Sequence, residues 1–250
     1  MDDRGASERG ADGTVATKEA IRNRVWDDLE SAGVARFPFP PHDRIPNFDG
    51  AAAAADRLAE RPEWAAAGKV KSNPDAPQLP VRRRALETGK TVFMAVPRLR
   101  EAAPFERLDP AEIDDTDAAA TISHMDEFAT AVGPEAMPRI DLIVAGSVAV
   151  TPTGDRIGKG EGYSDLEFAV LREAGLVDRD TTIVTTVHER QVVQMDVPTT
   201  PHDVPIEWVF TPERDIRTEA PGRKPKGIAW KELDEKRLEE IPILRQMEHA

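Results

Sequence analysis

The hydrophobic positions fall into helical and extended stretches that alternate along the chain. Ile21, Val25 and Leu29 recur every four residues, which places them on one helical face, with Thr17 as N-cap and Gly33 as the stop. Residues 51–67 are alanine-rich and helical by propensity, with a break expected at Pro62. Residues 81–88 predict a further helix ended by Gly89, and 91–96 a strand. The intervening 70–80 reads as a loop, and 37–47 carries too much proline for a helix. Further on, 122–132 predicts a short helix, 139–150 one long strand, and Thr153-Gly154-Asp155 a turn. A helix over 165–174 follows, with Ser164 as its N-cap. The β-branched run 181–187 predicts a buried strand, 191–195 an extension of the sheet and 206–210 another strand; an amphipathic helix is expected from 231 to 237 and beyond. Helices alternating with strands are the α/β pattern. Met1 to Ala16 is polar and contains glycine, so the expected organisation is a disordered tail of 1–16 and a single domain over 17–250.

Charge narrows the function. The chain has 46 acidic against 33 basic residues, a net charge of −13, which argues against nucleic acid or an anionic membrane as a general partner. Abundant alanine and an excess of arginine over lysine, on so acidic a chain, suggest a halophilic protein from a high-salt cytosol. The absence of cysteine removes disulfides, thiolate metal sites and cysteine nucleophiles together. No apolar run reaches the length of a membrane helix and the N-terminus lacks a hydrophobic signal region, so a cytoplasmic location is expected. Ser147 follows Gly146 without the Gly-x-Ser-x-Gly elbow of a serine hydrolase, and no His-Glu-x-x-His points to zinc.

The densest chemistry lies in Arg156 to Asp165, reading Arg-Ile-Gly-Lys-Gly-Glu-Gly-Tyr-Ser-Asp. Gly158, Gly160 and Gly162 free the backbone to turn N–H groups toward an anion, and Arg156 and Lys159 flank the turn. The spacing is neither a Walker A motif nor the Gly-x-Gly-x-x-Gly dinucleotide fingerprint. On composition alone, a phosphate site and a plain glycine-rich turn are evenly matched. Lys18 and Arg22 lie four apart on one helical face, a spacing that by itself favours a solvated charge pair.

These motifs resemble a known family. The ten-residue stretch is similar to the Arg-Leu-Gly-x-Gly-x-Gly-Tyr-Tyr-Asp signature of the 5-formyltetrahydrofolate cyclo-ligase (methenyltetrahydrofolate synthetase) family. Lys159-Gly160-Glu161-Gly162-Tyr163 resembles its methenyltetrahydrofolate synthase domain-containing branch. Arg44-Ile45-Pro46-Asn47-Phe48, Pro97-Arg98-Leu99-Arg100 and Lys224-Pro225-Lys226-Gly227-Ile228 extend the likeness in the same order. The resemblance implies a three-layer α/β/α sandwich with a mostly parallel central sheet, of the NagB/RpiA/CoA-transferase-like kind. It implies conversion of 5-formyltetrahydrofolate to 5,10-methenyltetrahydrofolate with ATP and Mg²⁺, by a monomer or homodimer whose partners are those small molecules. Lys18 matches the first member of a Lys-x-x-x-Arg pair that contacts ATP, and Arg22 the second. Arg156, Gly158, Gly160, Glu161, Gly162 and Ser164 would hold the nucleotide, with Lys159 and Tyr163 nearest the chemistry. Asp165 and Asp203 match magnesium-associated positions, and Asp75 stands in for a folate-holding Glu. Arg98, the other substrate-binding candidate, lies beyond the carboxyl end of the 91–96 strand, where it could reach a phosphate or the substrate's glutamate tail or simply be an exposed surface arginine.

Three departures keep other readings open. Ser164 replaces the usual second Tyr, Glu161 a glycine, and Asn73-Pro74-Asp75-Ala76-Pro77 stands where members often carry Glu-Val-x-Thr with a folate-holding Glu. The alternatives are an ATP-dependent enzyme acting on another one-carbon or pterin compound, and a non-catalytic nucleotide-binding or regulatory module. The composition carries its own test: on transfer from molar salt to dilute buffer the protein should lose structure, as followed by circular dichroism. Full stability in dilute buffer would refute the halophilic reading.

Overall fold

The computed structural model describes residues 16–219 and 223–248; the expected tail of 1–16 lies outside them except for Ala16. Helix α1 (Lys18–Ser31) begins as its sequence implies, with Thr17 Oγ1 accepting from the Ala20 amide at 3.2 Å. Short strands β1 (Ala35–Arg36) and β2 (Asn47–Phe48) pair antiparallel. Pro62 divides the alanine-rich stretch into α2 (Ala51–Ala59) and α3 (Pro62–Ala66). Then come β3 (Lys69–Ser72), α4 (Leu79–Glu87), β4 (Thr91–Ala95), β5 (Phe105–Leu108), α5 (Thr116–Ala119), β6 (Thr130–Val132) and β7 (Leu142–Val144). A hairpin of β8 (Ala149–Val150) and β9 (Arg156–Ile157) closes round the expected turn at 153–155. The chain continues through α6 (Tyr163–Glu173), β10 (Thr182–Thr186), β11 (Trp208–Phe210), β12 (Asp215–Arg217), α7 (Glu235–Glu240) and α8 (Pro242–Glu248).

Eight strands form one sheet in the order β12-β11-β10-β7-β3-β4-β5-β6. The central run from β11 to β4 is parallel, and β12, β5 and β6 add antiparallel edges. Alternate residues supply the two faces, as the two-residue period of a strand requires. Phe93, Ile143, Ile183 and Val209 pack under α6 and α8, while Val92, Leu142, Val144, Val184 and Phe210 pack under α2 to α5. The result is a three-layer α/β/α sandwich with a mostly parallel sheet. Helix α1 joins neither outer layer; Ile21, Val25 and Leu29 pack with Val148, Ala149 and Ile157 of the hairpin. Among the described residues, no helix is long and apolar enough to cross a membrane.

Several expectations need correction. The loop predicted at 70–80 contains β3, a central strand; its polar sequence concealed it, because Lys71 is buried by pairing with an acid rather than by being apolar. The single strand expected over 139–150 is two, since Ala145 to Val148 leaves the sheet and β8 pairs with β9 instead. Residues 122–132 hold a 3₁₀ turn at Met125–Glu127 and the edge strand β6, which is drawn into extension by its ladder with β5. Residues 191–195 add no strand; only Val192 bridges to Val150, after a 3₁₀ turn capped by His188 and Gln191. Helix α6 starts at Tyr163 with left-handed Gly162 as its N-cap, so Ser164 lies inside the first turn. The helix expected from 231 is a 3₁₀ turn at Trp230–Glu232, after which Asp234 caps α7.

Gly50 and Gly33 provide a matched test. Both are left-handed, at φ +82° and +67°, but a Cβ at Gly50 would lie 2.6 Å from Pro212 Cγ and one at Gly33 would meet nothing within 4 Å. Gly50→Ala should therefore destabilise by about 2–4 kcal/mol and Gly33→Ala by about 1 kcal/mol, as read from urea denaturation.

Candidate functional site

The sheet dictates where a ligand can sit. From β3 the chain moves to β4 on one side, and from β7 to β10 and β11 on the other. Neighbouring parallel strands that depart in opposite directions leave a crevice at their carboxyl ends. Here Asn73 follows β3 and Gly146 lies just beyond β7, and the Gly146 amide donates to Asn73 Oδ1 at 3.3 Å. A Cβ on Gly146 would come within 2.9 Å of Asp75 Oδ2, so only glycine allows this approach. A cleft of about 470 Å³ opens there, within the range of small-molecule sites.

The β8–β9 hairpin folds the glycine loop over the crevice. Arg156, only 5 % exposed, donates to the Gly146 carbonyl at 3.0 Å and to Asp165 Oδ1 at 2.6 Å. Asp165 Oδ1 also accepts from the Val204 amide at 3.0 Å, which draws Asp203 alongside. Lys18 donates to both Asp203 oxygens at 2.7 Å, and Arg22 Nε donates to the Gly158 carbonyl at 2.7 Å. Burial lowers the pKa of Arg22. Each loop glycine abuts a guanidinium: a Cβ would lie 3.1 Å from Arg156 at Gly158, 3.2 Å from Arg22 at Gly160 and 3.3 Å from Arg237 at Gly162. Side chains at these positions would force the cations outward.

Buried charge forms the floor. Lys71 on β3 pairs with Glu167 on α6, and Asn73 Nδ2 reaches the same carboxylate at 3.5 Å. Arg82 props the adjacent loop, donating to the carbonyls of Asn73 at 2.9 Å, Asp75 at 3.1 Å and Ala120 at 2.9 Å. Burial pushes its guanidinium down to about 10, so it remains charged at neutral pH. Burial likewise raises the pKa of Asp75; Lys159 opposes the shift and Glu167 adds to it. At the mouth, Glu161 meets Lys159 at 2.7 Å and Arg98 at 3.1 Å. The Lys159 hydrogen bond, seconded by Arg98, outweighs burial and holds the Glu161 carboxyl below the usual range.

The profile of the 5-formyltetrahydrofolate cyclo-ligase family matches residues 15–212. This chain belongs to that family. Similar relatives include the methenyltetrahydrofolate synthase domain-containing proteins of Mus musculus, 42 % identical over 237 residues, and of Homo sapiens, 38 % identical over 237 residues. The alignments cover 92 % of this chain, but only 63 % and 61 % of those proteins, so the chain spans less than two-thirds of their length. Among solved structures, the 5,10-methenyltetrahydrofolate synthetase of Aquifex aeolicus superposes with a TM-score of 0.49 at 19 % identity, covering 80 % of this chain and 92 % of that one. The Mycoplasma pneumoniae synthetase superposes with a TM-score of 0.45 at 11 % identity, covering 78 % and 98 %.

Every candidate site residue named from the sequence lines the one cleft. Lys18 and Arg22 from α1, Asp75 from the loop after β3 and Arg98 from the turn after β4 meet Arg156, Gly158, Lys159, Gly160, Glu161, Gly162, Tyr163, Ser164, Asp165 and Asp203. Sequence reasoning missed Glu167, whose acidic side chain looks like any surface helix position, and Arg237. The latter, on α7, donates to the Glu161 carbonyl at 2.8 Å and lies 5.5 Å from the Tyr163 ring centre. No local pattern marks it. The basic turn at 223–226 is partly structural: Lys224 donates to the carbonyls of Arg179 and Thr181 at 2.9 and 2.6 Å.

Asp75 yields a pH test. A carboxyl whose native pKa is raised binds its proton more tightly when folded. Its contribution to stability is complete below the ordinary value of 3.8 and is lost as pH rises through the native value. Asp75→Asn stays neutral and should escape that loss, gaining stability relative to the wild type as pH rises above the ordinary carboxyl value of 3.8 in denaturant titrations. Parallel curves would contradict the assignment.

Proposed function

We propose that the protein converts 5-formyltetrahydrofolate to 5,10-methenyltetrahydrofolate, driven by conversion of ATP to ADP and phosphate, with the triphosphate lying over the loop 156–165. One observation carries this reading: cations from three distant segments, Lys18 and Arg22, Arg98, and Lys159, line a single cleft with the adjacent carboxylates of Asp165 and Asp203. In the reaction the γ-phosphoryl group passes to the formyl oxygen. The neighbouring folate nitrogen attacks the activated carbon, and the oxygen leaves as phosphate while the ring closes. No side-chain nucleophile is required, so the protein's part is positioning and charge compensation.

The residues divide the work accordingly. Lys18 and Arg22 hold the phosphate chain from α1, and Lys159 turns from Glu161 to the transferring group. Tyr163, at the start of α6, hydrogen-bonds the substrate. Arg98 and Asp75 border the folate side, together with Ile45. Among the described residues no three His, Asp or Glu side chains gather for a metal. Asp165 and Asp203 are nevertheless hard oxygen donors, about one-fifth exposed at 21 % and 19 %, and they fit Mg²⁺ when phosphate oxygens complete its shell. The ion would offset phosphate charge there, and Lys18 would exchange Asp203 for a phosphate oxygen.

Asp75 supports a second reading. The resemblance implies a folate-holding Glu in this stretch, whereas Asp75 is shorter and burial favours its neutral form, which donates as well as accepts. A different one-carbon or pterin compound would suit it. Incubation with ATP, Mg²⁺ and 5-formyltetrahydrofolate should generate methenyl absorbance, and Lys159→Ala should lower kcat/KM by about 10²- to 10³-fold. Calorimetric nucleotide binding without methenyl formation would rule out the first reading and leave the second beside a non-catalytic nucleotide-binding module, and no nucleotide binding would remove all three.

A further inference from the structure

Glu161 stands between two cations at the mouth of the cleft. Its Oε2 accepts from Lys159 Nζ at 2.7 Å, and its Oε1 from Arg98 Nη2 at 3.1 Å. Lys159 belongs to the glycine loop and Arg98 to the turn after β4, so the pairing spans the opening. Dense packing does not impose it, because the three side chains are 34 %, 41 % and 48 % exposed. The backbone does. Arg98 and Leu99 are both left-handed, at φ +60° and +52°, a conformation that L-residues other than Asn and Asp seldom hold. Leu99 is fully buried and locks that turn, which aims Arg98 at the loop. On the other flank, Arg237 donates to the Glu161 carbonyl at 2.8 Å. Glu161 is thus held by its carboxylate on one side and by its backbone carbonyl on the other.

We propose that Glu161 is a built-in competitor for the polyanion this cleft receives, occupying Lys159 and Arg98 until a ligand of higher negative charge displaces it. The inference rests on the phosphate-binding reading above and deepens it by naming what sets the threshold for occupancy. A triphosphate offers several charges and many acceptor oxygens to the same two cations, and it outcompetes one carboxylate where a neutral ligand cannot. Once displaced, Glu161 lies unpaired beside the phosphates and repels them. Wild-type affinity is therefore lower than the cations alone would give, and the cost is greatest when no divalent cation offsets the phosphate charge.

The test is calorimetric titration of the full chain with inorganic tripolyphosphate in magnesium-free buffer, repeated with ATP plus Mg²⁺. Glu161→Gln and Glu161→Gly should each bind tripolyphosphate about tenfold more tightly than the wild type. Glu60→Gln, on exposed surface at the end of α2, removes the same charge and should leave affinity unchanged. Binding by the Glu161 variants alone would also support the competitor role. Unchanged or weaker tripolyphosphate binding in both variants, with the wild type still binding, would overturn it and leave the phosphate site standing. An equal gain in Glu60→Gln would reduce the effect to net charge and overturn it too. Failure of every protein to bind tripolyphosphate or ATP would overturn the competitor and the phosphate site together.

Discussion

The cleft depends on the Arg156 guanidinium. Buried beside the end of β7, it satisfies the Gly146 carbonyl with one nitrogen and the Asp165 carboxylate with another, and Asp165 in turn holds the Val204 amide. Four pieces of chain are tied through that group: the strand end, the hairpin, the first turn of α6 and the segment carrying Asp203. Removing it would leave a buried carbonyl unpaired and a carboxylate without its partner, among the costliest defects in a folded chain. Arg156 is thus a scaffold residue before anything else. Its Nε has no hydrogen-bond partner among the described residues, which leaves one donor uncommitted.

Charge is arranged economically around it. The chain carries a net −13, yet the cleft gathers Lys18, Arg22, Arg98, Arg156 and Lys159. Each is matched locally by a carboxylate or a backbone carbonyl. Below them, the Lys71–Glu167 pair joins the central strand β3 to α6 with hardly any exposure. A buried ion pair adds little net stability, but it penalises any register in which the two partners separate. The pair therefore fixes where α6, and the glycine loop preceding it, lies relative to the strand ends.

Much of this was legible in the sequence, for physical reasons that also explain the gaps. Helix α1, the split at Pro62 and strands β4 and β10 follow from local periodicity and propensity, which act over a few residues. The glycine loop and its basic flanks were visible because special backbone conformations demand special residues. What stayed hidden was tertiary. Strand β3 looks like a loop because Lys71 owes its burial to an acid almost a hundred residues away. The run 139–150 looks continuous because only the close approach of Asp75 to Gly146 reveals that the chain must leave the sheet there. Arg237 reads as one more charge on an acidic helix until the fold sets it against Gly162.

That last contact has a consequence for where the molecule can be cut. The family profile ends at 212, while the arginine bracing the glycine turn sits on α7, well beyond that limit. Ile228, Ile241, Ile243 and Leu244 from the same stretch pack into the core beneath α6. A version trimmed at 212 would keep the whole 156–165 stretch and still lose the arginine that braces its Gly162 turn and the apolar residues packed beneath α6. The reach of the family profile and the reach of the packed core are, in this protein, different lengths.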